Sequence, residues 1–240
     1  MSKQKIALVT GATSGLGFEW AKQLSERGYY IFATGRTQKS LDKLSSNFNS
    51  LNINSYETAV LNVTSDQNIK AIHDLIQHKK GCLDLLISNA GVSGNTLGFK
   101  NTKSQVKNTS DEILQMYNVN AVAPLILSHE LVDLMPDGAK IINISSNSGS
   151  IKDTKRGGNY AYAMSKTAMN MATRKLAHDF YNAGVVVIAL HPGWSKTQIG
   201  GEYAPDTPEQ TVQNCVTYIE TVSMAQTGQF LDTKGQQLNY

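Results

Sequence analysis

Ile6-Ala7-Leu8-Val9-Thr10-Gly11-Ala12-Thr13-Ser14-Gly15-Leu16-Gly17 is the stretch whose reading decides the fold. Its four leading apolar residues suit a short buried strand. Behind it, Leu16, Trp20 and Leu24 recur every four residues and build one apolar helix face. Gly11, Gly15 and Gly17 lie between, where the backbone must turn tightly and let a pyrophosphate approach the helix N-terminus. Glycine turns are common; a strand before and an amphipathic helix after give this one its weight.

Outward from that unit, short apolar runs alternate with longer amphipathic stretches. The runs are Tyr29 to Ala33, Leu83 to Ile87, Ile141 to Ile144 and Val185 to Leu190, with a weaker strand near Ser55 to Leu61. Continuous β-branched runs suit parallel strands buried on both faces. Thr64-Ser65-Asp66-Gln67, Thr109-Ser110-Asp111-Glu112 and Thr207-Pro208-Glu209-Gln210 read as capping boxes that open helices, and Pro208 fits a first helical position. The alternation predicts an α/β fold, a doubly wound open sheet with right-handed crossovers, as one domain over 1–240. Polar loops at 91–108 and 146–159 and an irregular stretch at 192–206 follow strand ends, where such sheets bind ligands.

About 20 residues past the glycine turn, an acidic residue would bind ribose hydroxyls. Ala33-Thr34-Gly35-Arg36 stands there instead. Arg36 suits a 2′-phosphate, with Thr13 and Ser14 as hydroxyl donors, so the pattern favours NADP(H) over NAD(H).

Tyr162 and Lys166 lie four apart at the start of a long helical stretch and so share one face. A free phenol, with a pKa near ~10, is a poor acid at neutral pH, and a nearby ammonium stabilises its phenolate. Alone, such a pair is an ordinary helix surface.

It has company. Thr10-Gly11-x-x-x-Gly15-x-Gly17, Ser88-Asn89-Ala90-Gly91, Asn120, Ser146, Tyr162-x-x-x-Lys166 and Pro192-Gly193-x-x-x-Thr197 occur in the order expected of the short-chain dehydrogenase/reductase family, which the chain resembles over nearly its whole length. Gly157 to Tyr162, Leu190 to Gly201 and the tail Gly228 to Gly235 are similar to the C-factor and sniffer-type carbonyl reductase branch. The resemblance implies a Rossmann-type, mainly seven-stranded parallel sheet with helices on both faces, and a substrate loop near 192–206. It implies Tyr162 as proton donor, Lys166 as ribose ligand that lowers the tyrosine pKa, Ser146 on the carbonyl oxygen, and Asn120 holding a water that relays protons to Lys166. Cofactor contacts would come from Gly11, Thr13, Ser14, Gly15, Leu16, Gly17, Arg36, Asn62, Val63, Asn89, Ala90, Gly91, Tyr162, Lys166, Pro192, Gly193 and Thr197. The equivalents of stretches 110–135 and 160–183, both rich in Ala, Met and Leu, often form a dimer contact in that family, so a homodimer or homotetramer is expected.

Departures from the family pattern are mild. Ser145 adjoins Ser146, and Ser146 precedes Tyr162 by 16 residues, a long interval. Asn62-Val63 stands where Asp-Val often contacts adenine, and Ser88 replaces an asparagine.

Composition narrows the rest. Apolar residues are 40% and charged residues 17%, which supports a sizeable core. A net charge of +3 from scattered residues, the densest basic groups being Lys3 to Lys5 and Lys152 to Arg156, gives no stripe for nucleic acid. No apolar run approaches the ~20 residues needed to cross a bilayer, and the start is too short for a secretory segment, so a cytoplasmic protein is expected. Cys82 and Cys215 read as buried thiols, not a disulfide. The five histidines show no metal-ligand spacing; His191 reads as bonded to backbone, and Phe99, Trp194 and Tyr203 as loop anchors or substrate contacts.

The expected function is hydride transfer between NADP(H) and a small carbonyl or alcohol substrate. Two alternatives belong to other classes. A nucleotide-binding signalling protein of the C-factor type would need little catalysis, against the intact set Asn120, Ser146, Tyr162 and Lys166. A nucleotide-sugar epimerase would carry a differently spaced glycine turn and a longer substrate domain.

Overall fold

The computed structural model describes residues 3–94, 109–155 and 157–240. The loop expected over 91–108 therefore lies mostly outside the described residues, as do Phe99 and Arg156. Seven parallel strands, β1 (Ile6–Val9), β2 (Tyr30–Gly35), β3 (Tyr56–Val60), β4 (Leu85–Ser88), β5 (Lys140–Ile144), β6 (Val186–His191) and β7 (Phe230–Asp232), form one sheet in the order 3-2-1-4-5-6-7. The helices between them are α1 (Gly15–Glu26), α2 (Gln38–Ser50), α3 (Asp66–Lys79), α4 (Ser110–Tyr117), α5 (Ala123–Leu131), α6 (Tyr160–Asp179) and α7 (Pro208–Thr221).

Successive strand residues face opposite ways, so each strand feeds two cores. Ala7, Val9, Ile31, Ala33, Ile87, Ile142 and Ile188 pack with Trp20 and Leu24 of α1, Leu41 and Phe48 of α2, and Val212 and Val216 of α7. Leu8, Phe32, Leu86, Ile141 and Val187 pack with Ile69 and Ile72 of α3, Leu127 of α5 and Leu176 of α6. Burial on both faces explains why these strands are continuously apolar.

Two of the three expected capping boxes are present. Thr109 and Thr207 each accept from the backbone three residues on, at Glu112 and Gln210, whose side chains reach back, and Pro208 takes the first helical position. The third differs: Ser65, not Thr64, caps α3, accepting from the N–H of Asn68. Thr64 is turned away because its N–H and hydroxyl donate to Asn62 Oδ1, at 3.2 and 3.0 Å.

Between α4 and α5 the chain makes a π turn over Asn118–Val122, an irregularity that often marks functional sites. Leu114 and Tyr117 on α4 and Met164 and Met171 on α6 are exposed, on the surface where the expected homo-oligomer contact would form. Cys82 and Cys215 are free thiols, and burial pushes the Cys215 thiol up. Among the described residues no helix is long and apolar enough to cross a membrane.

Candidate active site

The strand order reverses between β1 and β4, and the crevice at their carboxyl ends is the expected ligand position of an open α/β sheet. Pairing Val9 with Ile87 brings the glycine turn beside Asn89-Ala90-Gly91. The buried hydroxyl of Thr10 locks the two together, accepting from the N–H of Asn89 at 3.0 Å and of Ala90 at 2.9 Å. Asn89 Nδ2 returns a hydrogen bond to the Thr10 carbonyl at 2.9 Å.

Two glycines in this turn are dictated by space. Gly11 holds φ +66°, and a β-carbon on Gly17 would sit 2.1 Å from the Gly11 carbonyl oxygen and 2.6 Å from Asn89 Nδ2. The backbone of the turn is therefore packed closely against Asn89. Ser14 occupies the N-cap with extended backbone, yet its side chain accepts no capping hydrogen bond. The first-turn N–H groups and the Ser14 hydroxyl are thus available to an anion. A β-carbon on Gly15 would lie 3.5 Å from the Thr197 methyl, so the loop after β6 reaches the same turn. Pro192 is buried and Gly193 takes φ +101° where that loop leaves the strand.

Arg36 follows β2 in solvent and among the described residues makes no hydrogen bond or ion pair. Thr13 leans on Gly35, where a β-carbon would meet its methyl at 2.5 Å. Asn62 is exposed and already uses its side-chain oxygen on Thr64; Val63 borders a small cavity with Thr10, Ser88, Ala90 and Val119. Bare glycine backbone, an uncapped helix start and a free guanidinium together fit a dinucleotide with a phosphorylated ribose.

Tyr162, Lys166 and Ser146 come together between β5 and α6. Ser146 follows β5, and its hydroxyl accepts from the Ser148 N–H at 3.1 Å. Burial holds the Tyr162 phenol above its usual range, while a hydrogen bond with Ser146 works the other way. The neighbouring Ser145 is buried and donates to Asn170 Oδ1 at 2.6 Å, so of the adjacent pair only Ser146 faces the phenol. Tyr160, two residues earlier, is 56% exposed and points elsewhere.

Lys166 is buried, and desolvation brings its ammonium down to about 8. Its Nζ donates to the Ile144 carbonyl at 2.8 Å and lies 5.7 Å from the Tyr162 ring centre. In this arrangement the Lys166 ammonium is hydrogen-bonded to the Ile144 carbonyl, with the Tyr162 ring beyond it. Asn120, on the π turn, is fully buried. Its side-chain oxygen accepts from the Val92 N–H at 2.8 Å, and its Nδ2 donates to the Val92 carbonyl at 2.9 Å and to Ser165 Oγ at 3.0 Å. Both of its amide protons are thus committed to packing the chain after β4 against α6.

His191 differs from expectation. Among the described residues its buried Nδ1 has no hydrogen-bond partner, and desolvation keeps the ring below its usual range. Trp194 is a loop anchor: its indole N–H donates to the Gly200 carbonyl at 2.7 Å. Tyr203 is 91% exposed. Sequence reasoning passed over Thr10 as a clamp and did not see Asn170. Only their polarity within apolar stretches could have signalled them.

A model of the short chain dehydrogenase family matches residues 5–208. The C-signal of Myxococcus xanthus is 31% identical over 160 residues, covering 66% of this chain and 93% of that protein. The 1-hydroxy-2-glutathionyl-2-methyl-3-butene dehydrogenase of Rhodococcus sp. (strain AD45) is 27% identical over 241 residues, 97% of this chain and 98% of that one. Among solved structures, the carbonyl reductase Sniffer of D. melanogaster superposes with a TM-score of 0.88 at 27% identity, and the NADPH-bound carbonyl reductase from chicken fatty liver with 0.84 at 29%. Each superposition covers 100% of both chains.

Proposed function

The chain belongs to the short-chain dehydrogenase family of oxidoreductases, and from that premise we propose that it is an NADP(H)-dependent carbonyl reductase with Tyr162 as its acid. The observation that carries this reading is the half-buried Tyr162 phenol beside Ser146, one helical turn from the Lys166 ammonium, whose Nζ lies 5.7 Å from its ring centre. Similarity to two carbonyl reductases, one of them NADPH-bound, supports it.

The pyrophosphate would rest on Gly11, Thr13, Ser14, Gly15, Leu16 and Gly17 at the start of α1, and the 2′-phosphate on Arg36. Asn62 and Val63 would face the adenine; Asn89, Ala90, Gly91, Pro192, Gly193 and Thr197 would border the remainder. When bound, the nicotinamide supplies the hydride that reduces the carbonyl carbon. The Ser146 hydroxyl donates a hydrogen bond to the substrate oxygen, where negative charge develops. Tyr162 passes its proton to that oxygen; burial keeps the phenol protonated beforehand, and the Ser146 hydrogen bond works against that rise as the proton leaves. Lys166 holds the ribose and, once its ammonium faces the phenol, stabilises the phenolate left behind. Asn120 keeps the chain after β4 in register with α6; a relayed water would meet the backbone of its π turn, since its amide protons are committed.

NADPH consumption with a panel of aldehydes, ketones and quinones tests the reading, and Arg36→Ala tests its cofactor part. The wild type is expected to prefer NADPH to NADH, and Arg36→Ala to erode that preference by about 1–3 kcal/mol, the scale of a charged hydrogen bond. Equal affinities in the wild type by fluorescence titration would sink the assignment of Arg36. Similarity to the C-signal keeps a second reading, a signalling protein with little catalysis; absence of turnover on the whole panel would favour it.

A further inference from the structure

Resting on the reading of Ser146 as a catalytic group, we propose that residues 236–240 are a strap that positions the Ser146 turn, with Asn239 its principal positioning residue. After β7 the chain reverses around Asp232, whose Oδ1 accepts from the N–H groups of Lys234 and Gln236 at 2.8 and 2.9 Å. It then runs back antiparallel, bridging Leu231 to Gln237 and donating from the Leu238 N–H to the Phe230 carbonyl. Tyr240 closes the return by stacking on Phe230, ring centres 6.2 Å apart, and donating its hydroxyl to the Gly228 carbonyl at 2.5 Å.

That course ends on the loop that carries the serine. Asn239 Nδ2 donates to both carboxylate oxygens of Asp153, at 3.1 and 3.2 Å, while its Oδ1 accepts from Lys152 Nζ at 3.3 Å. The Lys152 N–H donates to the Tyr240 main-chain oxygen at 3.2 Å. Asp153 passes the restraint inward: its Oδ2 accepts from the buried Ser150 hydroxyl, which in turn accepts from the Asp153 N–H, both at 3.1 Å. Ser150 closes a tight turn over Asn147–Gly149, where its N–H reaches the Asn147 carbonyl and the Gly149 N–H reaches that of Ser146. On the other side, Asn170 and Thr167 of α6 both donate to the Gly149 carbonyl, at 3.3 and 3.1 Å. The serine turn is therefore gripped from α6 on one side and from residues 236–240 on the other, and the outer grip stands apart from the helix that carries Tyr162 and Lys166.

The partners Asn239 and Asp153 allow a swap. Asn239→Ala removes the link, Asn239→Asp opposes two carboxylates, and Asn239→Asp with Asp153→Asn restores donor and acceptor in exchanged places. Two readouts apply: amide hydrogen exchange of residues 147–155, and kcat against KM on a substrate that the wild type turns over. Asn239→Ala is expected to speed exchange in that segment about tenfold with β5 and α6 unchanged. It should lower kcat three- to tenfold with NADPH affinity unaltered; Asn239→Asp should do more, and the swap should return both readouts to within about twofold of the wild type. Wild-type exchange in Asn239→Ala, or a swap no better than Asn239→Asp, would overturn the strap. Wild-type kcat in the face of faster exchange would overturn its positioning role. A wild type inactive on every carbonyl would instead be a failure of the reductase reading, and exchange would still decide the strap.

Discussion

Tyr162→Phe is expected to lower carbonyl reduction by ~10²–10⁴, the usual loss when a general acid is removed, while leaving NADPH affinity near that of the wild type. The substitution deletes one oxygen from a half-buried residue that packs against the cluster of Val92, Met116 and Ala161. The ring therefore keeps its place, and only the proton and the hydrogen bond with Ser146 are lost. Tyr160→Phe is the internal control. It lies two residues away, about 200° around the helix, is 56% exposed, and should keep most activity. A dead Tyr160→Phe beside a working Tyr162→Phe would move the acid to the other tyrosine.

Lys166→Met carries a large effect of a different kind. Turnover and NADPH affinity should fall together, because the ammonium serves both ribose and phenol. Stability should also acquire a new dependence on pH. In the folded chain the ammonium titrates at about 8, whereas in the unfolded chain it titrates near ~10.4. Between those values the unfolded chain holds more protons, so raising the pH favours the folded state. The burial penalty acts in full below pH 8 and has gone above the unfolded value, a span of about 3 kcal/mol. The methionine variant lacks it. Denaturant unfolding without nucleotide should therefore show the wild type gaining on Lys166→Met as pH rises from 8 to 10. A constant difference across that range would mean that the ammonium is hydrated.

Much of this architecture was legible in residue order. β1 begins and ends where its apolar run does, the boxes at Thr109 and Thr207 form as written, and Tyr162 and Lys166 do share a helix face with Ser146 opposite. These are local features, set by residues within a turn or two of one another. β7, three residues long, has no periodicity of its own and was expected only through family resemblance. The contacts of single polar side chains were not legible at all. Thr10 reaches 80 positions along the chain to Ala90, Asn120 folds its amide onto Val92, and Asn239 meets Asp153 across 86 positions. Nothing in spacing announces such partners, because the sheet topology, not the local sequence, brings them together. The same holds for Lys166: a spacing of four placed it beside Tyr162, but its nearest acceptor proved to be the Ile144 carbonyl on β5.

Deuterium transfer tests the central claim most directly. The enzyme is loaded with NADPH carrying deuterium at the transferable position and mixed with a carbonyl from the panel, and the product is analysed by mass spectrometry. The account predicts one deuterium on the carbinol carbon for each NADPH consumed by the wild type, and a sharply reduced yield from Tyr162→Phe at equal cofactor occupancy. An alcohol without the label, or an equal yield from Tyr162→Phe, would contradict it.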